Sequence, residues 1–353
     1  MQTKHIEKSG IRKFASMNSS TGFISYFDNY FNSLSYLYIL KGGPGTGKSY
    51  LMNRLADAAR QKGYTVTYFH CSSDPESLDG IIINELNVGM MDGTAPHTRD
   101  PKYPGVREEI INLGQFWKAE TLLQNKNSVK KLTDEKSLYY KRAVSMLSLY
   151  DKSQLECEKL ISRFFDKDKA YSYFLRVFKN ARSDHKPRST PFVYESPGML
   201  GIYTTPIPKN TLIYKIPSYY ASEFLITDCA LDALYRLGIS HEYSYSPFRE
   251  GRINAIYVPT VGIGICVDCE SDSTESMKII NPKRFIDSSA LSSFKKELRA
   301  LSKASEPFIE KSLYCFDTMR SIHFGLEDIY LSAMDLGAKE KFTDKLIKNI
   351  LKT

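Results

Sequence analysis

One run of residues constrains the fold of this chain more than any other: "YILKGGPGTGKSYLMNRL" at residues 38–55. Its middle fits the pattern G-x-x-x-x-G-K-[ST] and ends in Lys48 and Ser49. A β-rich run at residues 35–40 precedes the loop, and apolar residues recur after it at helical spacing until Gly63 supplies a stop. The sequence therefore predicts a strand, a glycine-rich loop and a helix, in that order.

The residue types of this loop suit a phosphate ligand. Glycines let the backbone turn so that successive N–H groups point at phosphate oxygens, and the start of the following helix adds partial positive charge. Lys48 can reach the β and γ phosphates, while the Ser49 hydroxyl can ligate Mg²⁺. An ordinary glycine turn before a surface helix would not explain the Lys-Ser pair. The candidate residues for binding ATP are Gly42, Gly43, Gly45, Thr46, Gly47, Lys48, Ser49 and Tyr50.

A phosphate loop of this kind also needs a carboxylate at the end of a neighbouring strand, where it holds the magnesium ion. Residues 65–71 and 88–91 are typical of two further strands, and the second ends at Asp92. We expect Asp92 to bind Mg²⁺ together with Ser49. The alternative is an ordinary aspartate that opens a turn before Gly93.

Hydrolysis would also require a group that orients the attacking water. Many hydrolytic proteins with this loop carry a glutamate directly after the aspartate, but Gly93 stands there in this chain. The remaining candidates are polar residues on loops expected at the same edge of the sheet: Asp74, Glu76, Asp79 and His97. The predicted catalytic set is Lys48, Asp92, Asp74 and His97, and Arg99 and Arg107 could neutralise phosphoryl charge.

The chain contains a second copy of this region. With Lys41 aligned to Lys215, "LYILKGGPGTGKSYLMNRLADAA" matches "LIYKIPSYYASEFLITDCALDAL", and after one inserted residue Gly89 matches Gly264. The second copy has no lysine equivalent to Lys48, lacks the glycines and carries Glu223 where the first has Ser49. We therefore expect an α/β fold with two similar three-layer α/β/α units, at residues 1–189 and 190–353, of which only the first binds a nucleotide.

Each predicted unit ends in helical sequence. In the first unit, Thr133 is the expected cap of a helix that holds Tyr140 and Leu147. In the second, Ile322 and Leu326 recur at a similar spacing.

Composition narrows the functional classes. The six cysteines are scattered, which favours free thiols in a reducing compartment, and the Cys266-x-x-Cys269 pair has neither a second pair nor a nearby histidine that would indicate zinc. The N-terminal segment lacks the apolar stretch of a secretory signal, and no apolar run reaches the roughly 20 residues of a spanning helix. We expect a cytoplasmic protein with no membrane partner. The positive surplus of +8 belongs to the first half of the chain.

Three motifs together are similar to a known family. The runs "KGGPGTGKS", "HCSSDPESLDG" and "DGTAPHTRDPKYPG" resemble a bacterial family of duplicated P-loop proteins described as ATPases or nucleotide-binding proteins. The similarity extends over nearly the whole chain and is densest at residues 41–113. It implies tandem P-loop NTPase-like units and ATP binding, and it adds weight to Asp74, Asp92 and His97 as site residues. In that family the second half often keeps its own glycine-rich loop, and this chain departs from the family there.

Three functions are consistent with these features. The first is a Mg²⁺-dependent ATPase that signals to a protein partner, with turnover well below the roughly 1–100 s⁻¹ of kinases because no glutamate follows Asp92. The second is a small-molecule or nucleotide kinase whose acceptor pocket includes Asp74, His97 and Arg99. The third is a non-catalytic nucleotide-binding interaction module, which could contact nucleic acid through the basic first half. The sequence shows no RNA-binding signature of interleaved basic and aromatic residues, although its 24 tyrosines could stack on bases.

Overall fold

A computed structural model describes residues 3–4, 11–270 and 276–352 of the chain. Most of the N-terminal segment considered above as a signal lies outside the described residues. The first part of the chain contains strands β1 (Thr3–Lys4), β2 (Ile11–Phe14), β3 (Ser16–Ser19) and β4 (Gly22–Ser25), helix α1 (Phe27–Phe31), strand β5 (Tyr36–Lys41), helix α2 (Lys48–Gln61), strands β6 (Val66–His70), β7 (Leu78–Ile83), β8 (Val88–Asp92) and β9 (Glu108–Asn112), and helices α3 (Ala119–Gln124), α4 (Lys126–Ile161) and α5 (Lys167–Val177).

The second part repeats much of this order. It contains strands β10 (Ser189–Pro191), β11 (Glu195–Gly198), β12 (Gly201–Thr204) and β13 (Leu212–Ile216), helix α6 (Ser222–Leu237), strands β14 (His241–Tyr245), β15 (Ile253–Val258), β16 (Ile263–Val267) and β17 (Met277–Ile279), and helices α7 (Lys295–Ser332) and α8 (Leu336–Ile350). The protein is therefore a mixed α/β protein, as predicted.

Two six-stranded sheets have the same strand order and the same strand directions. The first runs β2-β6-β7-β8-β5-β9, and the second runs β10-β14-β15-β16-β13-β17. In each sheet one strand, β7 or β15, is antiparallel to both of its neighbours, and the other pairings are parallel. The loops that follow β5 and β8 therefore meet at the edge of the first sheet where parallel strands end.

Helices cover the two sheets differently. In the first sheet, Leu51 and Leu55 of α2 pack on one face, while Phe27 and Phe31 of α1 pack on the other. In the second sheet, α5 and α6 pack on one face. The buried cluster on its other face, around Ala255, is formed by residues of strands and loops. A cavity of about 810 Å³ also opens on that face.

The last helix of each half of the chain packs against the sheet of the other half. Helix α5 follows the first sheet in sequence, yet Ala170 and Phe174 lie in the core of the second sheet. Helix α8 follows the second sheet, yet Leu346 and Ile350 lie in the core of the first. Helices α4 and α7 pack along each other, and Phe316 lies in their shared cluster. They are antiparallel, because Lys136 of α4 contacts His323 of α7 while Gln154 contacts Ser305.

Several sequence predictions are confirmed, and others need correction. The expected strand, loop and helix are β5, the glycine-rich loop and α2, and the strands predicted at 65–71 and 88–91 are β6 and β8. Asp79, expected on a loop, lies in β7. The helix expected to begin at Thr133 begins seven residues earlier at Lys126, so Thr133 lies inside α4 and its hydroxyl donates to the Val129 carbonyl.

The prediction of free thiols is wrong for one pair of cysteines. Cys266 and Cys269 are joined by a disulfide, because the turn after β16 places their Cα atoms 5.7 Å apart, a separation that suits such a bond. Cys71, Cys157, Cys229 and Cys315 are free. Among the described residues, no helix is both long enough and apolar enough to cross a bilayer.

Candidate functional site

The glycine-rich loop joins β5 to α2 and is held in a conformation that favours glycine. Gly45 and Gly47 have φ angles of +67° and +82°, in the left-handed region where a Cβ is disfavoured. A Cβ at Gly45 would lie 2.5 Å from the Glu327 carbonyl oxygen of α7, and one at Gly47 would lie 2.6 Å from Lys339 Nζ of α8. The backbone of α7 therefore adds a second reason for glycine at position 45, whereas the Lys339 side chain can move away from a Cβ at position 47.

The polar residues predicted to bind phosphate and magnesium lie together at the start of α2. Lys48 Nζ donates to the carbonyl oxygens of Gly42 and Gly43 at 2.9 Å each and lies 3.5 Å from Asp92 Oδ2. Ser49 Oγ accepts the Leu78 N–H at 3.0 Å. The loop thus brings one ammonium, one hydroxyl and one carboxylate to the same point.

Asp92 is held in place by its own turn. Its Oδ1 accepts the N–H and the hydroxyl of Thr94 at 2.8 and 2.6 Å. Burial raises the pKa of Asp92, and Lys48 opposes this shift. The turn described as the alternative is therefore present, but the second carboxylate oxygen still faces Lys48, so the residue can serve both roles.

These groups border a cavity of about 550 Å³, a size typical of small-ligand sites. Residues 42–49 form one side of it, and the predicted site residues Asp74, Asp92 and His97 also line it. Tyr50, also predicted to bind the nucleotide, is not among the residues that line the cavity, and its hydroxyl donates to Glu340 of α8 at 3.2 Å. Glu76 is likewise not among the described residues that line the cavity.

A second cluster of polar residues lies in the same cavity. Asp79 Oδ2 lies 3.0 Å from His97 Nε2, and both residues are buried. Burial alone would lower the pKa of His97, but the Asp79 carboxylate raises it above the usual value. The His97 ring packs edge-on against Phe23 and Phe27, with centroids 4.8 and 5.0 Å away, which fixes its orientation.

Residues of α4 and α7 complete the cavity, and sequence reasoning missed them. Lys136 Nζ donates to His323 Nδ1 at 2.9 Å, and His323 Nε2 lies 3.5 Å from Glu327 Oε1. Burial, followed by the charges of Lys136 and Lys48, lowers the pKa of His323 to about 4. Burial also lowers the pKa of Lys136. No local motif marks these three residues, since only the packing of the long helices brings them to the loop.

Glu327 lies against the glycine-rich loop. Burial raises the pKa of Glu327, and the Gly45 backbone N–H, one of the groups expected to bind phosphate, opposes the shift by favouring the ionised carboxylate. The loop therefore already faces an anionic oxygen.

The two arginines proposed to neutralise phosphoryl charge lie elsewhere. Arg99 donates to Asp28 and Asn32 at 2.8 Å each, and Arg107 donates to backbone oxygens that include Leu34. Neither lines the cavity in the described part of the chain. An acceptor pocket that includes Arg99, as considered for a kinase, is thus not formed.

The loop in the second half is shorter and packed. Leu40 and Ile216 are equivalent by strand register, because Leu40 pairs with Asp92 and Ile216 pairs with Val267. Seven positions separate Leu40 from the helix N-cap Gly47, whereas five separate Ile216 from the N-cap Ala221. The alignment of Lys41 with Lys215 therefore holds for the helix but not for the strand.

Apolar residues fill the space at this second loop. Ala221 is buried in a cluster with Cys157 and Leu298. The Glu223 carboxylate accepts the Tyr219 N–H at 2.9 Å, and burial raises the pKa of Glu223 to about 7.

Comparison with known families finds a match to the family model described as Nephrocystin 3, N-terminal, over residues 23–81. The matched segment includes the glycine-rich loop and α2 but is a small part of the chain. Neither a curated protein nor a solved structure matches.

Proposed function

We propose that the first half of the chain binds ATP with Mg²⁺ and hydrolyses it slowly, and that the bound nucleotide alters the packing of α7. The observation that carries this proposal is the arrangement at the start of α2, where Lys48 Nζ lies 3.5 Å from Asp92 Oδ2 beside Ser49. A lysine for the β and γ phosphates and a hydroxyl–carboxylate pair for the metal are the groups that this loop pattern uses.

The residues present fit a triphosphate. The Gly45 N–H already favours the ionised form of the Glu327 carboxylate, so an anionic oxygen is favourable at that position. Lys48 would bind the phosphates, and Ser49 and Asp92 would hold Mg²⁺, whose charge stabilises the negative charge that develops on the transferred group. The Lys48 ammonium must then exchange its contacts with the Gly42 and Gly43 carbonyls for phosphate oxygens.

Slow turnover is expected from the same residues. Gly93 offers no side chain to orient water, and its N–H donates to the Leu40 carbonyl at 2.9 Å. The groups left to orient water are Asp74 and the His97–Asp79 pair, which line the cavity. Asp74 is engaged by its own turn, where it accepts the Ser77 hydroxyl at 2.9 Å.

We also propose that the two halves are tandem P-loop NTPase-like units of which the second has lost its nucleotide site. The identical strand order of the two sheets supports this. A residue with a left-handed backbone conformation also precedes the equivalent helix in each half, Gly47 before α2 and Ala221 before α6. The buried Ala221 and the carboxylate of Glu223 would oppose a phosphate at the second loop.

Coupling to a partner would pass through α7. An incoming phosphate competes with Glu327 for the Gly45 N–H, and Glu327 belongs to the helix that packs along α4. Displacing the carboxylate changes a contact of this helix pair, which gives a bound nucleotide a structural readout.

Calorimetry with ATP and MgCl₂ tests the proposal, with Lys48→Ala as the diagnostic variant and Lys130→Ala, an exposed lysine of α4, as the control. We expect wild type and Lys130→Ala to bind alike. Loss of a charge-assisted contact of about 1.5–3 kcal/mol should weaken Lys48→Ala by roughly 10- to 100-fold. Absence of nucleotide binding in the wild type, or rapid hydrolysis that survives Lys48→Ala, would refute the proposal.

The same protein preparations distinguish the other two functions. ADP production that depends on an added acceptor would identify a kinase instead of a hydrolase. Nucleotide binding without any ADP production, combined with nucleic-acid binding that weakens steeply as salt rises, would indicate an interaction module. Parallel titrations with GTP establish which base is preferred.

A further inference from the structure

Cys71, Asp79 and His97 lie close together, and the proposed nucleotide chemistry gives no role to the thiol of Cys71. One ligand atom of each residue, the Cys71 sulfur, an Asp79 carboxylate oxygen and a His97 ring nitrogen, lies within 4.8 Å of the other two. The three residues come from the loop after β6, from β7 and from the loop after β8, so the sheet itself holds them together.

The Asp79 carboxylate of this group is incompletely satisfied by the protein. Asp79 is 4% exposed and His97 is 8% exposed, and Asp79 Oδ2 makes no hydrogen bond of acceptable geometry, although it lies 3.0 Å from His97 Nε2. A buried carboxylate oxygen without a hydrogen bond is costly, and an ion bound to Asp79 Oδ2 would remove that cost. The 3.0 Å separation of Asp79 Oδ2 and His97 Nε2 also suits two ligands of one small metal ion.

Cys71 supplies the sulfur of the group. It lies in the loop directly after β6 and is not part of a disulfide. A zinc-type ion would bind it as the thiolate, because metal binding releases the thiol proton.

We propose that Cys71, Asp79 and His97 bind a zinc-type divalent cation beside the glycine-rich loop. A sulfur, an imidazole nitrogen and a carboxylate are the ligand types that such an ion prefers, whereas Mg²⁺ prefers oxygen alone. The three residues face the cavity that Lys48 and Asp92 also line, which leaves a fourth coordination position open to water or to a ligand oxygen. This metal site is distinct from the magnesium site proposed at Ser49 and Asp92, and it does not require that proposal.

Cobalt provides a direct probe because Co²⁺ occupies zinc sites and a thiolate ligand gives it strong near-ultraviolet absorption. Metal-free protein with the Cys266–Cys269 disulfide intact is titrated with Co²⁺ in the presence of excess MgCl₂ and without nucleotide. We expect one equivalent of Co²⁺ to produce the thiolate band together with tetrahedral visible bands, and Zn²⁺ to displace it.

Variants of each ligand test the assignment. Cys71→Ser should abolish the thiolate band, and Asp79→Asn and His97→Gln should weaken binding by at least on the order of 10- to 100-fold, the loss that outer-shell changes alone cause. The matched controls are Cys315→Ala in α7 and the exposed residues Asp134→Asn and His185→Gln, which should bind like the wild type. Circular dichroism shows whether each variant is folded.

The outcome is separable from that of the nucleotide proposal. Lys48→Ala should retain the cobalt spectrum while losing ATP affinity, so either proposal can fail alone. A wild-type protein that takes up no Co²⁺ in the presence of magnesium would overturn the metal site, and so would a spectrum unchanged in folded Cys71→Ser; the group would then be a buried ion pair beside a thiol.

Discussion

Glu327→Gln should strengthen nucleotide binding. In the wild type the Gly45 N–H favours the ionised Glu327 carboxylate, and a phosphate oxygen must take its place. Glutamine keeps the length and an acceptor oxygen but removes the negative charge, so both the competing hydrogen bond and the repulsion of phosphate become weaker. The substitution therefore raises the free energy of the unliganded state and lowers that of the complex, and both changes strengthen binding.

The magnitude follows from the contact and its exposure. A hydrogen bond to a charged group contributes about 1.5–3 kcal/mol, of which only part is lost with an amide acceptor. The Glu327 side chain is 35% exposed, so solvent screens its charge and the lower end applies. A net gain near 1.4 kcal/mol corresponds to about a tenfold lower Kd for ATP with magnesium.

Titration of both proteins with a fluorescent ATP analogue measures the effect, with Glu310→Gln as the control because Glu310 is an exposed carboxylate on the same helix. The control should bind like the wild type. An unchanged or higher Kd for Glu327→Gln would show that the carboxylate does not compete with phosphate. In that case α7 would have no role in gating the loop.

Three further substitutions test the packing around the site by urea unfolding. Gly45→Ala should destabilise the fold by more than Gly105→Ala, because both have similar positive φ angles, +67° and +72°, but only the first Cβ meets backbone; equal losses would contradict the contact with α7. His323→Gln should remove a loss of about 2 kcal/mol between pH 7 and pH 5, since a histidine whose folded pKa lies near 4 destabilises the protein as pH falls below its unfolded value of about 6.5. Arg249→Ala should cost about 3 kcal/mol by leaving the buried carboxylate of Asp151 without its arginine, since Glu158 keeps its ion pair with Arg252, whereas Lys159→Ala, at an exposed pair, should cost under about 1 kcal/mol.

The elements next to the glycine-rich loop could be predicted because their signals are local. Strand β5 and helix α2 have clear periodicity and a glycine stop, and β8 ends at the expected Asp92. The sequence does not predict strand β7. The run "LDGIII" begins with residues typical of a turn, and its residues are buried because other strands flank β7 on both sides. As a result Asp79 was assigned to a loop, although it still reaches the cavity.

The remaining part of the site could not be read from the sequence because it depends on packing between distant helices. Glu327 and His323 carry no motif, and they reach the loop only because α7 runs antiparallel to α4. Tyr50 was included with the loop because of its position in the chain. The direction of its side chain is set instead by Glu340 of α8, a helix that sequence order would assign to the other half.

The exchange of terminal helices explains how one loop could influence the whole chain. Helix α8 is fixed to α2 by Arg54, which forms ion pairs with Glu340 and Asp344, so the end of α7 is held where it meets the loop. The earlier part of α7 contributes Leu298 to the buried cluster around Ala221, in the loop between β13 and α6. A single helix therefore contacts the glycine-rich loop near one end and the β13–α6 loop near the other. If an anion displaces Glu327 at the first position, the displacement must either be absorbed by bending within α7 or shift the packing at the second. Pro307 lies between the two positions. One backbone hydrogen bond is missing there, so the helix bends more easily at that point.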